Sequence, residues 1–166
     1  CLRSPYPYAR IVSIDTSAAK RLPGVYAVLT SSDISDALVG RMIRDMPVLA
    51  RDVVRFAGQK VAAVAAEDTE TADEAISLIE VEYEVLPAVL SVGEAMREGA
   101  PLIHDDKMTT RSVAQRFTRG TDTGVVSNVA SYIQFKGGDL EEGFRQADVV
   151  VEREFATKMV HQGYVE

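Results

Sequence analysis

Val61-Ala62-Ala63-Val64-Ala65-Ala66, then Asp68-Thr69, then Ala72, Ala75, Ile76 and Ile79, then Glu80-Val81-Glu82-Tyr83-Glu84-Val85-Leu86 is the stretch on which the fold turns. Its first six residues are apolar without alternation, the length and character of a buried strand. Asp68 or Thr69 is a helix-capping type, and the apolar positions at 72, 75, 76 and 79 repeat at i, i+3, i+4, i+7, one stripe of a helix. From 80 to 86 the period drops to two: Val81, Tyr83 and Val85 share one face, and Glu80, Glu82 and Glu84 the other, a strand with one wet side. The order is strand, helix, strand, and a right-handed crossover is one way to close it.

Upstream, residues 53–56 read as another strand, and 57–60 as a turn with Gly58 at positive φ. Residues 9–15 alternate as a half-buried strand and 17–22 allow only a short helix, which Pro23-Gly24 stops. Residues 25–29 are β-branched and aromatic, hence a strand. Residues 30–51 form a long loop with one helical turn. Downstream, Ser91 and Glu94 make a capping box, and Gly99-Ala100-Pro101 ends the first unit. Residues 104–127 are polar and poor in periodicity, a linker or wrapping arm; poor order is expected there and around Arg41. Residues 128–135 read as a strand. Gly137-Gly138-Asp139 turns into a helix with Leu140, Phe144 and Ala147 on one face, and a further strand starts at Asp148. The fold class is α+β, a sheet half covered by helices.

The chain has 166 residues, 46% hydrophobic and 26% charged, which fits one ordinary domain or one small domain plus part of another. Eighteen Lys+Arg against twenty-five Asp+Glu, a net charge of -7, leave no cation cluster for nucleic acid. No stretch approaches the roughly 20 apolar residues of a membrane span. Cys1 is the only cysteine, so no intrachain disulfide forms and a reducing, cytoplasmic setting fits. No signal peptide is recognisable. Both ends lie in patterned sequence, so the chain reads as a fragment of something longer.

A search for chemistry returns no complete site. His104 and His161 belong to no His-x-x-x-His or Cys-x-x-Cys pair, so no metal site is expected. No phosphate-binding loop occurs, and Asp139 puts negative charge where an anion would sit at the Gly137-Gly138 turn, which reads as a plain helix cap. There is no Gly-x-Ser-x-Gly elbow, and Cys1 at a chain end has no environment to tune its thiol. Asp105-Asp106 and Glu141-Glu142 are solvated neighbours. Asp106-Lys107-Met108 matches the short motif of biotinyl and lipoyl carriers, without the strand context a carrier hairpin needs. No catalytic residue is assigned.

Ser4-Pro5-Tyr6, Ala9-Arg10-Ile11, Ile14-Asp15-Thr16-Ser17, Leu22-Pro23-Gly24-Val25 and Ala27-Val28-Leu29-Thr30 occur in order. Pro47-Val48-Leu49-Ala50, Val54-Arg55-Phe56, Gly58, the 61–67 run, Ile79 to Glu84 and Leu86-Pro87-Ala88-Val89 follow. Together they resemble the α/β hammerhead domain of the molybdenum-binding large subunit in the xanthine dehydrogenase and aldehyde oxidase family. Gly138-Asp139, Phe144, Ala147-Asp148, Val150-Val151-Glu152 and the 161–166 segment resemble the start of that family's molybdopterin-binding domain. Lys60 stands where many members have Pro. The resemblance implies a hammerhead domain at 1–104, a linker or arm at 105–127, and an incomplete molybdopterin-binding domain at 128–166. It implies a molybdenum–molybdopterin cofactor in the full-length protein and none on the fragment. Iron–sulfur clusters and FAD are implied on partner subunits or domains, and a small-molecule substrate is oxidised or hydroxylated with oxygen from water. Gln162 and Glu166 are the candidate cofactor contacts, the alternative being strand residues packed into the next domain. Xanthine, aldehydes, carbon monoxide, aromatic thioesters and nicotinate-like heterocycles all remain open as substrates. A rival reading is a stand-alone interaction module docking through the Glu80, Glu82, Glu84 face.

Overall fold

The computed structural model describes residues 1–40, 44–104, 109–112, 120–135, 137–158, 160 and 163. The chain divides into two units, Cys1–Ile133 and Gln134–Glu166.

In the first unit the strands are β1 (Leu2–Arg3), β2 (Ala9–Asp15), β3 (Val25–Leu29), β4 (Leu38–Val39), β5 (Met46–Pro47), β6 (Val53–Val54), β7 (Lys60–Ala66), β8 (Glu80–Val85), β9 (Thr109–Ser112), β10 (Thr121–Val126) and β11 (Ser131–Tyr132). The helices are α1 (Ser17–Arg21), α2 (Thr69–Ser77) and α3 (Val92–Ala95), with a 3-10 turn at Ser31–Asp33. Among the described residues, β1-β7-β3, β6-β2-β8 and β10-β9-β11 are three-stranded sheets, and β4-β5 is a small hairpin.

β7 is the organising strand. Its neighbouring residues Val61 and Ala62 are both fully buried, yet they enter different apolar clusters. Successive side chains on a strand point to opposite faces, so β7 can serve two cores at once. Ala62 packs with Ala19, Val28, Ala75 and Ile79, under α1 and α2. Val61 packs with Ala9, Ala50 and Val54, against the sheet that holds β2 and β8. Small residues at 19, 62 and 75 let helix and strand backbones approach closely. An apolar run without alternation is what a strand covered on both faces requires.

The crossover suggested by the strand–helix–strand order does not form. β7 and β8 belong to different sheets, and β8 pairs antiparallel with β2 from Ala9↔Val85 to Asp15↔Glu80. The physical reason lies in β8: a strand with three glutamates on one face cannot sit in a sheet buried on both sides, but it suits an antiparallel edge. The segments at 53–56 and 60–66 likewise part company, β6 pairing with β2 and β7 with β1 and β3. Between them Gly58 has φ +89°. Its N–H donates to Ser4 O (2.8 Å), and Ser4 N–H donates to Gln59 O (2.9 Å), so the N-terminal segment closes this turn. β1 was not foreseen, since two residues carry no readable period.

α2 starts where capping chemistry places it. Asp68 Oδ1 accepts from Thr71 N–H at 2.7 Å, satisfying a donor the helix cannot. That bond is the main reason the Asp68 carboxyl is held below the usual range. Asp33, through the Thr30 backbone, and Asp15, through the Ser17 backbone, are lowered in the same way. A carboxyl whose folded pKa is depressed contributes stability above its unfolded value and loses it as pH falls through the folded value. Thermal unfolding followed from neutral pH down through about pH 4 should therefore show falling stability. Asp68→Asn keeps a cap acceptor and should flatten part of that slope, whereas Asp68→Ala should lower the melting temperature at neutral pH as well.

Gly24 turns the chain from α1 into β3 at φ +85°, and a Cβ there would meet the Glu67 carboxylate. Gly24→Ala should cost about 1–2 kcal/mol in urea denaturation, from left-handed strain alone.

Two expectations for the later chain need correction. The strand read at 128–135 shrinks to Ser131–Tyr132, and no strand forms at 148–158. Val149, Val150 and Val151 have strand propensity but no paired neighbour there, and propensity alone does not make a strand. Within 104–127, the described residues include β9 and β10, an antiparallel pair with Thr121↔Ser112 and Asp122↔Arg111 in register. Hydroxyls and a carboxylate hold this pair: Thr109 Oγ1 donates to Asp122 (2.6 Å) and Thr123 Oγ1 to Thr110 O (2.7 Å), while Thr110 Oγ1 ties β9 to Val129 O (2.8 Å), between β10 and β11. Polar fastening of this kind leaves no apolar period to read. The poor order expected at residues 41–43, 105–108 and 113–119 concerns positions outside the described residues.

In the second unit, α4 (Leu140–Gln146) is capped by Asp139, whose Oδ1 accepts from Glu142 N–H at 3.0 Å. Leu140 and Phe144 lie exposed on its apolar stripe.

Candidate functional site

The first unit carries a cavity of about 290 Å³. The loop before β4, the segment from β5 to β6, and His104 enclose it. Leu38, Pro47, Val48, Leu49 and Val53 form its apolar part, and Asp36, Asp45, Arg51, Asp52, Arg55 and His104 its charged part. Arg51 pairs with Asp36 at 2.5 Å, and His104 Nε2 stands 3.9 Å from Asp45 Oδ2. The Arg55 side chain donates to Ile103 O (3.0 Å), and its backbone N–H donates to Gln59 Oε1 (2.6 Å). The guanidiniums are thus committed to protein acceptors, and they tie residues 34–36 and 103 to the body of the unit.

Among the described residues these contacts brace the segments that line the cavity. Among the described residues no three His, Cys, Asp or Glu side chains gather into a set that would hold a metal ion. Among them, too, no helix is long and apolar enough to cross a membrane.

Gln162 and Glu166, the candidate cofactor contacts, lie outside the described residues, as do His161 and the Asp106-Lys107-Met108 motif. Cys1 is exposed and free. Glu80, Glu82 and Glu84 are exposed on β8 as the alternation requires; Arg10 pairs with Glu84 at 2.8 Å and Ser13 Oγ donates to Glu82 at 3.3 Å. Tyr83, on the other face, meets Tyr6 edge-on with ring centroids 5.2 Å apart. Burial pushes its phenol pKa up, opposed by a Ser4 hydrogen bond.

Sequence reading missed Asn128. Its Oδ1 accepts from Ile103 N–H (2.9 Å), while Nδ2 donates to Pro101 O (2.9 Å) and Ala95 O (3.1 Å). One side chain thereby fastens the 95–103 segment to the strand region beyond it. A lone Asn in a polar stretch gives no signal of that.

Comparison with known proteins resolves the family. The model for "Aldehyde oxidase and xanthine dehydrogenase, a/b hammerhead domain" matches residues 1–87. The chain belongs to the aldehyde oxidase and xanthine dehydrogenase family. This hammerhead chain is 37% identical over 166 residues to a probable xanthine dehydrogenase subunit of Bacillus subtilis (strain 168), covering 99% of itself and 20% of that protein. It is 33% identical over 165 residues to the nicotinate dehydrogenase large molybdopterin subunit of Eubacterium barkeri, covering 99% of itself and 34% of that relative. Among solved structures, reconstituted CO dehydrogenase from Oligotropha carboxidovorans superposes with TM-score 0.61 at 45% identity, over 65% of this chain and 14% of that one. The chain thus spans a fifth to a third of the curated relatives named here. The hammerhead assignment made from ordered short motifs holds, and the α+β class with it.

Proposed function

We propose that this hammerhead chain serves in the large subunit of a molybdenum hydroxylase, which oxidises or hydroxylates a small organic molecule with oxygen from water. Family membership carries this reading, since the matched relatives include a large molybdopterin subunit. When bound, a molybdenum–molybdopterin cofactor supplies the oxidative chemistry. Among the described residues the cavity guanidiniums are already paired, Arg51 with Asp36 and Arg55 with Ile103 O, so this cavity does not fit an anionic group of that cofactor. The chain's own work is then structural: it braces the cofactor-bearing part of the subunit and meets subunits or domains carrying iron–sulfur clusters and FAD, in the cytoplasm.

Residues 1–104 form the hammerhead domain in this proposal, 105–127 an arm containing the β9–β10 hairpin, and 128–166 the start of the molybdopterin-binding domain. The bare apolar surface beyond residue 134 supports the last assignment. Phe135, Leu140, Phe144, Val149, Val151 and Phe155 are all exposed, Phe155 at 89%. Exposed apolar side chains in such number belong against other protein. Gln162 and Glu166 would approach the cofactor there.

The test is expression, under molybdate, of the longer reading frame that contains this sequence, with molybdenum measured per chain. About one molybdenum per chain, together with bleaching of iron–sulfur and flavin absorbance by substrate, is the expected result. A metal-free product with no redox chromophore on any copurifying subunit would sink the proposal and favour a stand-alone interaction module. Amide exchange offers a second check on the domain division: α4 should exchange quickly in the 166-residue chain and slowly in the longer protein.

A further inference from the structure

No further inference is drawn: the strongest candidate, the cavity of about 290 Å³ between the 34–38 loop, the β5–β6 segment and His104, carries both signs of charge with its arginines already bonded to Asp36 and Ile103, and nothing in the structure shows what fills or covers it.

Discussion

Val61→Asp is expected to abolish cooperative folding of residues 1–133. Val61 is fully buried and, with Val54, one of the two largest completely enclosed side chains among the described residues. It sits where β7 meets the cluster of Ala9, Ala50 and Val54, and none of those neighbours can hydrogen-bond a carboxylate. An unpaired buried charge costs about 4 kcal/mol or more, a large part of the roughly 5–15 kcal/mol that holds a domain together. Ala65→Asp is the control: it lies on the same strand, exposed, and pairs with Ala27. That variant should stay within about 1 kcal/mol of the parent. Urea denaturation followed by circular dichroism separates the two. Equal effects from both variants would mean that β7 is not the strand shared by the two cores.

Asn128→Ala should be the most damaging polar substitution in the chain. It removes three hydrogen bonds at once, to Ile103 N–H, Pro101 O and Ala95 O. At about 1 kcal/mol net for each, the loss should be about 2–3 kcal/mol, read as a lower urea midpoint. Asn128→Asp retains an acceptor for Ile103 but sets a carboxylate oxygen against two carbonyls, and should be at least as destabilising. Exchange of the Ile103 amide should rise in both variants, while the α2 amides, remote in sequence and joined to another cluster, should follow only the global change. A near-silent Asn128→Ala would show that the 95–103 segment is held by packing instead.

The match between pattern and structure is uneven for physical reasons. β2, α2, β7 and β8 were legible because each buries one face or both, and burial imposes an apolar period on sequence. The caps at Asp68, Ser91 and Asp139 were legible because a helix start has few ways to satisfy its first donors. β9 and β10 were not, because Thr109, Thr110, Thr123 and Asp122 hold them by side-chain hydrogen bonds, which leave no period behind. The strand read at 148–155 failed for the converse reason: its residues favour extended pairing, but they have no partner strand among the described residues.

For the site, family membership was readable from short motifs in order, whereas the cavity was not. Asp36, Asp45, Arg51, Arg55 and His104 are scattered over nearly seventy positions and share nothing until the chain folds. By itself the sequence determined where helices start, which strand faces are apolar and to which family the chain belongs, since these depend on neighbours three or four residues away or on motif order. Tertiary structure alone decided that β7 and β8 enter separate sheets, that Val61 and Ala62 serve separate cores, and that Asn128 closes the 95–103 segment. Each of these outcomes rests on contacts between residues distant in sequence, where no local period survives to record them.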